Sequence, residues 1–208
     1  MEDYSVKSFR LNVLGDIGSM NEVRIKKIKE CLGPDFQSPT IIDRAVIVIN
    51  PIKKCLFIIG PQQITFGMDG EAIDVPDFEY MQVKFTELFA GLLIDPVAQS
   101  GVQIVAHYVT AGSSMEGSFK FLAVPKSSLN TGMKNIAGVG LRLLTEEEGD
   151  TWEYKVEPFI KDPTCYFLEA VCGNKLLPLE SILSRAKLAY TYFTNEWKDV
   201  FEEHLLVR

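Results

Sequence analysis

This sequence of 208 residues contains little histidine and no cysteine motif of the kind that binds a metal. It has two histidines and four cysteines, no two cysteines follow the C-x-x-C spacing, and neither histidine has a second histidine or a cysteine nearby. A local zinc site is therefore not indicated. The cysteines stand among mostly apolar neighbours, which predicts buried, reduced thiols. The sequence predicts no metal and no cofactor.

Long hydrophobic runs are absent as well. The apolar runs at 45–49 and 56–59 are typical, and they are far shorter than the roughly 20 residues of a membrane-spanning helix. The first residues begin acidic and lack the apolar stretch of a secretory signal. Hydrophobic residues still make up 47% of the chain, which is too high for a disordered protein. We therefore expect a soluble, globular, cytoplasmic protein.

Positive charge is in deficit along the whole chain. The sequence has 21 Lys and Arg against 28 Asp and Glu, a net charge of -7, of which the segments 1–100 and 101–208 carry -4 and -3. No basic half or tail is present to neutralise phosphates, which argues against a nucleic-acid partner. A basic cluster at 24–29 could bind an anion, but Glu22 and Glu30 dilute it, and a solvated helix face is the favoured interpretation.

Alternating or apolar segments separated by turn residues predict eight strands. These lie at 6–14, 41–50, 54–59, 62–68, 102–110, 138–145, 151–159 and 164–172, and 119–124 fits a further short strand. Three amphipathic helices are predicted between and after them. The first follows a capping box formed by Ser19 and Glu22, the second opens at Pro76, and the third runs from 178 to 204.

The two halves of the chain repeat the same order of elements. Each half, about 1–96 and about 97–208, reads as a leading strand, a connector, three strands and a helix. This order predicts one α+β domain over 1–208, with an antiparallel sheet, continuous or split, covered on one face by the helices that start near Asp77 and Pro178. It also predicts a pseudo-twofold repeat, although no residue identity accompanies it. In architecture alone, the order resembles twofold α+β sheets used as binding saddles and by some protein-export chaperones.

The sequence contains no convergent catalytic motif. His107 lies within a predicted strand, and the irregular segment 111–137, rich in Gly and Ser, has neither a G-x-S-x-G nor a P-loop pattern. A structural histidine and a surface loop are the favoured interpretations, and no catalytic residue is assigned. If the segment covers a ligand site instead, the polar residues expected near it are His107, Tyr108, Lys120, Lys134 and Arg142.

Several predicted strands are apolar on both sides, which favours coverage by a second subunit or a partner. The last helix adds an aromatic stripe, whose candidate partner-binding residues are Tyr190, Tyr192 and Trp197. The sequence thus favours a non-enzymatic interaction protein that binds a protein or peptide partner and forms a homo-oligomer. The alternative is a small-molecule-binding protein or a small enzyme with its site under 111–137.

Overall fold

The structure, a computed structural model, describes residues 3–122, 136–147 and 150–206. The strands in these segments are β1 (Asp3–Leu14), β2 (Thr40–Ile42), β3 (Ala45–Asn50), β4 (Cys55–Ile59), β5 (Gln63–Asp69), β6 (Val97–Val109), β7 (Leu141–Glu147), β8 (Asp150–Pro158) and β9 (Cys165–Pro178). The helices are α1 (Glu22–Leu32), α2 (Phe78–Leu92), α3 (Ser114–Ser118) and α4 (Leu179–Tyr192), and a 3-10 turn (Phe119–Phe121) follows α3. After α4, the helical path continues through two π-helical turns, Phe193–Trp197 and Phe201–Leu205, with Lys198–Val200 between them.

The described strands form one antiparallel sheet in the order β2-β3-β4-β5-β1-β6-β9-β8-β7. β1 and β6 pair along their length, from Asp3 opposite Val109 to Leu14 opposite Gln99, and bring the two halves of the chain together. β5, β4, β3 and β2 follow on one side of this central pair, and β9, β8 and β7 follow on the other. The predicted α+β fold with an antiparallel sheet is confirmed.

The helices pack on one face of this sheet. The ring of Phe85 in α2 lies 5.4 Å from that of Phe57 in β4, and the ring of Trp197, just after α4, lies 4.6 Å from that of Tyr154 in β8. α1 packs against α2, and α3 packs against β8. The side chains between the two layers form one continuous apolar core. Each large side chain buried there contributes roughly 1.5–3 kcal/mol, so this layer is the main source of stability.

The start of α1 differs from the sequence prediction. The capping box of Ser19 and Glu22 is wrong, because Asn21 is the N-cap and its Oδ1 accepts a hydrogen bond of 2.9 Å from the Arg24 backbone N–H. Asparagine caps a helix as well as serine does, so its place immediately before Glu22 decides where the helix begins. The predicted end is confirmed, since Gly33 caps α1 with a φ of 86°, a conformation that glycine adopts readily.

The single strand predicted at 41–50 is a hairpin in the structure. β2 and β3 are joined by Asp43 and Arg44, whose φ angles are 47° and 72°. Two consecutive residues with positive φ suit the twist of a hairpin, but such turns usually contain glycine, which is missing here. The short strand predicted at 119–124 is also wrong where the structure describes it. Residues 119–121 form the 3-10 turn, and residue 122 follows it outside any strand.

Candidate interaction surface

The face of the sheet opposite the helices, here called the open face, carries no second layer in the described part of the chain. Side chains alternate along each strand, so Val46 and Val48 of β3 are buried under the helices while Ile47 and Ile49 point the other way. A sheet with one solvated face normally carries polar residues on it. The open face follows this rule over its central strands, where Ser8, Arg10 and Gln103 lie, but it also carries two groups of apolar side chains, here called the first and the second patch.

The first patch lies at the β3–β4 end and consists of Ile47, Ile49, Leu56 and Ile58. Ile47 pairs directly with Ile58, and Ile49 pairs with Leu56. Such cross-strand pairs place their side chains within contact of each other. Ile49 is nevertheless 42% exposed, and the other three are partly exposed. The patch is therefore a continuous apolar surface that solvent reaches.

The second patch extends from β6 to β7. It consists of Val105 on β6, Phe167 and Val171 on β9, and Leu144 on β7. Leu144 is 64% exposed, and the other three are partly exposed. Val171 lies opposite Gln103 on β6 and Glu153 on β8, so polar side chains separate the apolar members of this patch.

A chain of polar contacts crosses the open face beside the second patch. Glu169 accepts a hydrogen bond of 2.6 Å from Gln103 and one of 2.8 Å from Lys155. Lys155 also lies 2.9 Å from Glu153, which pairs with Arg142. The bonds from Lys155 and then Arg142 lower the pKa of Glu153, and the bonds to Glu169 and then Glu153 raise the pKa of Lys155. Glu153 and Lys155 therefore keep their charges near neutral pH.

A further ion pair on the open face joins β1 and β5. Arg10 and Asp69 are 3.0 Å apart, and Asp69 also accepts a hydrogen bond of 2.6 Å from Ser8. The ion pairs on the open face thus join three cations with three carboxylates: Arg10, Arg142 and Lys155 with Asp69, Glu153 and Glu169. These paired groups add no net charge to the face, although the chain as a whole carries -7.

His107 occupies the open face between two phenylalanine rings. Its ring lies 4.5 Å from that of Phe159 and 6.3 Å from that of Phe167. Burial, and then the charge of Lys7, lower its pKa, while Asp162 raises it. A lowered pKa keeps the imidazole neutral near pH 7, so this ring adds to the apolar character of the surface.

The predicted ligand residues lie apart in the described structure. His107 points to the open face, whereas its neighbour Tyr108 points into the core and is 8% exposed. Arg142 also lies on the open face, but on β7, beyond β9 and β8. Lys120 belongs to the 3-10 turn after α3. Strand alternation separates His107 from Tyr108, and sheet order separates His107 from Arg142.

The segment predicted to cover a ligand site is described in part. Residues 111–122 include α3, whose Ser118 accepts a hydrogen bond of 3.0 Å from the Val139 backbone N–H. Residues 123–135, among them Lys134, lie outside the described residues. A ligand site under 111–137 therefore stays a prediction.

The aromatic residues predicted to bind a partner differ in their exposure. Tyr190 is buried, with its ring 5.9 Å from Phe9 and 6.0 Å from Phe78. Trp197 is buried against Tyr154. Tyr192 is 38% exposed and lies on the rim of a groove along α4. Of these three residues, Tyr192 is the one that a partner can reach.

This groove, here called the α4 groove, lies on the helical side of the sheet between α4 and strands β8 and β9. Its volume is about 670 Å³, which is within the usual range for ligand sites. The lining side chains come from β8, β9 and α4 and the turn after it: Asp150, Trp152, Tyr154, Lys175, Leu177, Glu180, Ser181, Ser184, Arg185, Leu188, Thr191, Tyr192 and Glu196.

Aromatic and aliphatic side chains form the middle of the α4 groove. Trp152 and Tyr154 lie two residues apart on β8 with parallel rings, 6.1 Å between centroids, and Tyr192 lies 6.0 Å from Tyr154. Leu177 of β9 and Leu188 of α4, the latter 70% exposed, complete this apolar section. The groove therefore presents aromatic surface to solvent on the side opposite the open face.

Arg185 anchors the wall of the groove. It is 8% exposed, and its guanidinium donates to Asp150 Oδ2 at 2.7 Å, to Ser100 O at 3.0 Å and to Gly173 O at 2.8 Å. Its Nη2 also donates to the Cys172 Sγ at 2.7 Å. One side chain thus ties α4 to β6, β8 and β9, and its hydrogen-bonding capacity is largely used within the protein.

Comparisons with known proteins do not assign the chain to a group. No family model matches it, and no curated protein matches it. Among the residues that the structure describes, no cluster of three or more His, Cys, Asp or Glu side chains is placed to hold a metal ion. Within the same residues, no helix is long and apolar enough to cross a membrane.

The sequence prediction missed the α4 groove, although one signal for it was present. Arg185 occupies the same helical stripe as Ile182, Ala186 and Ala189, which are all buried. A charged residue in an apolar stripe has to meet a buried partner, and that indicates a polar anchor. The partner Asp150 lies 35 residues earlier in sequence, which no local pattern reveals.

Proposed function

We propose that this chain is a non-enzymatic interaction protein that forms a homodimer through its open face. The observation that carries the proposal is the one-sided packing of the sheet, since helices cover one face while the other presents two apolar patches. The first patch is contiguous, since Ile47 pairs with Ile58 and Ile49 pairs with Leu56, and exposed apolar side chains grouped in this way on a sheet face are typical of an interface.

The size of the open face supports a second copy as its occupant. The nine strands average about eight residues, and at about 3.3 Å per residue and 4.8 Å between strands they give a face of roughly 1,200 Å², which is large enough for a stable interface. A standard stable interface buries about 800 Å² on each partner. Two copies packed face to face would make two sheets stacked about 10 Å apart, a common packing for β-sheets.

The charge pattern supports the same occupant. Two copies of a chain with a net charge of -7 repel each other in general. On the open face, however, the ion-paired cations and carboxylates are equal in number. A twofold axis brings the same surface of both copies together, so pairing these charges within each copy lowers the cost of association. Glu146 and Glu157 add two exposed carboxylates to the same face, and added salt should therefore strengthen the dimer.

Sedimentation of the intact chain tests the dimer. We expect a species of twice the 23.3 kDa chain mass at micromolar concentration. In the variant Ile49→Glu/Leu144→Glu, both substituted side chains are exposed, so the fold should persist. Each would bury an unpaired carboxylate in the interface, and we expect dimerisation to weaken by a factor of about 100 or more.

The matched control is Val23→Glu/Val83→Glu, which adds the same charge at exposed apolar positions of α1 and α2. We expect this control to dimerise as the native chain does. A monomeric native chain at high concentration overturns the proposal. If Ile49→Glu/Leu144→Glu dimerises as well as the native chain does, the interface lies elsewhere, and the proposed dimer through the open face is also overturned.

We also propose the pseudo-twofold relation between the halves 1–96 and 97–208. The order of the strands supports it, because β5, β4 and β3 flank β1 as β9, β8 and β7 flank β6. In each half a helix, α2 or α4, follows the three flanking strands. Superposition of the two halves in an experimental structure tests the relation, and a common path for these elements is the expected result.

A further inference from the structure

The α4 groove lies at the end of the helical layer, where a further helix would fit. α2 packs over β4 and β1, with α1 on one side and α4 on the other. α4 in turn covers β6 and β9. Beyond it, towards β8, the described residues include no helix beside the α4 groove, since α3 packs at the Pro158 end of β8 and the groove lies at the Asp150 end.

Residues along α4 give the groove a defined length and polarity. Glu180, Ser184, Leu188 and Tyr192 follow at intervals of four and share one side of the helix, and Glu196 continues the line. Glu180 and Glu196 are 16 residues apart, which corresponds to about 24 Å of helix. The groove is therefore elongated, with apolar side chains in the middle and a carboxylate at each end.

The charge of the groove selects the charge of its occupant. Arg185 and Lys175 both contact Asp150, at 2.7 Å and 3.6 Å. Among the described residues, no ion pair is present at either Glu180 or Glu196, and both are exposed. Two carboxylates at the ends of an aromatic groove favour positively charged groups, and aromatic rings add cation–π attraction.

We propose that the α4 groove docks a basic amphipathic helix of a partner protein. Such a helix would lie along α4, place its apolar side chains against Trp152, Leu177 and Leu188, and place a Lys or Arg near each of Glu180 and Glu196. This is the helix-in-groove mode of recognition, in which apolar anchors recur every three or four residues. α1 already packs on α2 in this way within the chain, with Ile28 and Leu32 buried.

The inference rests on the proposed function as an interaction protein, but it does not require the dimer. The α4 groove and the open face lie on opposite sides of the sheet. If the proposed dimer is wrong, the proposed docking of a helix in the α4 groove can still hold, and the reverse is also true. Measuring the molecular mass of the samples used for peptide binding tells which of the two proposals has failed.

The test uses a labelled synthetic helix of 18 residues with capped ends, leucines on one side and lysines near both ends. Fluorescence anisotropy with the full chain measures its affinity. We expect binding in the micromolar range, weakened by added salt, and at least tenfold weaker binding of a matched peptide with glutamates in place of the lysines. Equal binding of both peptides overturns the proposed charge selection.

Two variants locate the binding site. Glu180→Gln/Glu196→Gln removes both carboxylates, and we expect about tenfold weaker binding of the lysine peptide. The matched control Glu79→Gln/Glu203→Gln removes the same charge from exposed positions outside the groove and should bind as the native chain does. Leu188→Ser removes an exposed apolar wall and should weaken binding by a factor of about five or more.

Four outcomes overturn the proposal, and the first is the absence of any binding by the lysine peptide. Groove variants that bind the lysine peptide as the native chain does place the site elsewhere. A simple diamine that displaces the peptide at equal concentration indicates a small-cation site. The last outcome is protection of Trp152 from acrylamide quenching in the absence of peptide, which shows that the chain itself fills the groove. This measurement uses the variant Trp197→Phe, in which Trp152 is the one remaining tryptophan.

Discussion

Arg185 shows what a single buried charge does in this molecule. Its guanidinium contacts a carboxylate, two backbone carbonyls and a thiol, and these groups come from three strands. A buried cation is costly unless its donors are satisfied, and here nearly all of them are. The residue therefore fixes the position of α4 relative to β9 and gives the α4 groove a rigid wall.

Replacing Arg185 by methionine should destabilise the protein. The variant keeps an apolar stem but removes the guanidinium that donates to the largely buried Asp150 and to two backbone carbonyls, and leaves Asp150 with the more distant Lys175 alone. Removing one partner of a buried ion pair costs about 3–5 kcal/mol, and we expect a loss near 3 kcal/mol in the free energy of unfolding. Urea denaturation measures it.

The control for this prediction is Lys187→Met, which makes a similar change at an exposed position of the same helix. We expect it to change the free energy of unfolding by less than about 0.5 kcal/mol. Equal stability of the Arg185→Met variant and this control would contradict the anchoring role.

Side-chain direction could be predicted from the sequence wherever a strand alternates clearly. Trp152, Tyr154 and Val156 alternate with charged residues in the sequence, and in the structure all three lie on the helical side of β8. Contacts between distant segments could not be predicted, since Arg185 and Asp150 meet through the fold and not through spacing. The site residues proposed from sequence were chosen for their chemistry, and the pleat of β6 places His107 and Tyr108 on opposite faces.

At the scale of elements, the contact between α1 and α2 depends on the absence of a side chain. Gly91 lies in the last turn of α2, and a Cβ added there would overlap the Cys31 Sγ of α1. Glycine within a helix normally costs about 1 kcal/mol relative to alanine. Its presence here indicates that close approach of the two helices outweighs helix propensity.

Gly91→Ala should therefore destabilise the protein by about 1–3 kcal/mol, despite alanine's better helix propensity. The double variant Cys31→Ala/Gly91→Ala removes the overlap. In that background we expect the added methyl group to be neutral or to stabilise by up to about 1 kcal/mol. Thermal and urea unfolding of the four proteins measure the coupling, and additive effects would argue against a steric contact.

Element type was largely predictable from the sequence, whereas element boundaries were not. The turn at Asp43 and Arg44 lacks the glycine that is typical of such hairpins, so the sequence predicted one strand at 41–50 where the structure has β2 and β3. The helix after 178 was expected because its apolar stripe is long and regular. The two π-helical turns at Phe193–Trp197 and Phe201–Leu205 were not predicted, because the same apolar stripe also fits a regular α-helix.

At the scale of the whole molecule, the two halves of the chain depend on each other. β1 and β6 form the centre of the sheet, and Phe9 of the first half packs against Tyr190 of the second at 5.9 Å. Separating the halves would turn both central strands into exposed edges and open the core.

Fragments 1–96 and 97–208 should therefore fail to fold alone. We expect each to show no cooperative unfolding by circular dichroism, and an equimolar mixture to recover a cooperative transition. A cooperative transition in either fragment by itself would show that the β1–β6 pairing is not required for folding.

The four cysteines are all free in the structure, and two of them lie deep in the core of different halves. Burial raises the pKa of Cys55 on β4 to about 11 and that of Cys172 on β9 to about 12. Because the thiolate is the reactive form, both buried thiols should react very slowly with alkylating reagents while the protein is folded. Each thiol becomes reactive only when the structure around it opens. The rates of alkylation at Cys55 and Cys172 therefore report how often the first and the second half of the sheet open, and equal rates are expected if the two halves open together.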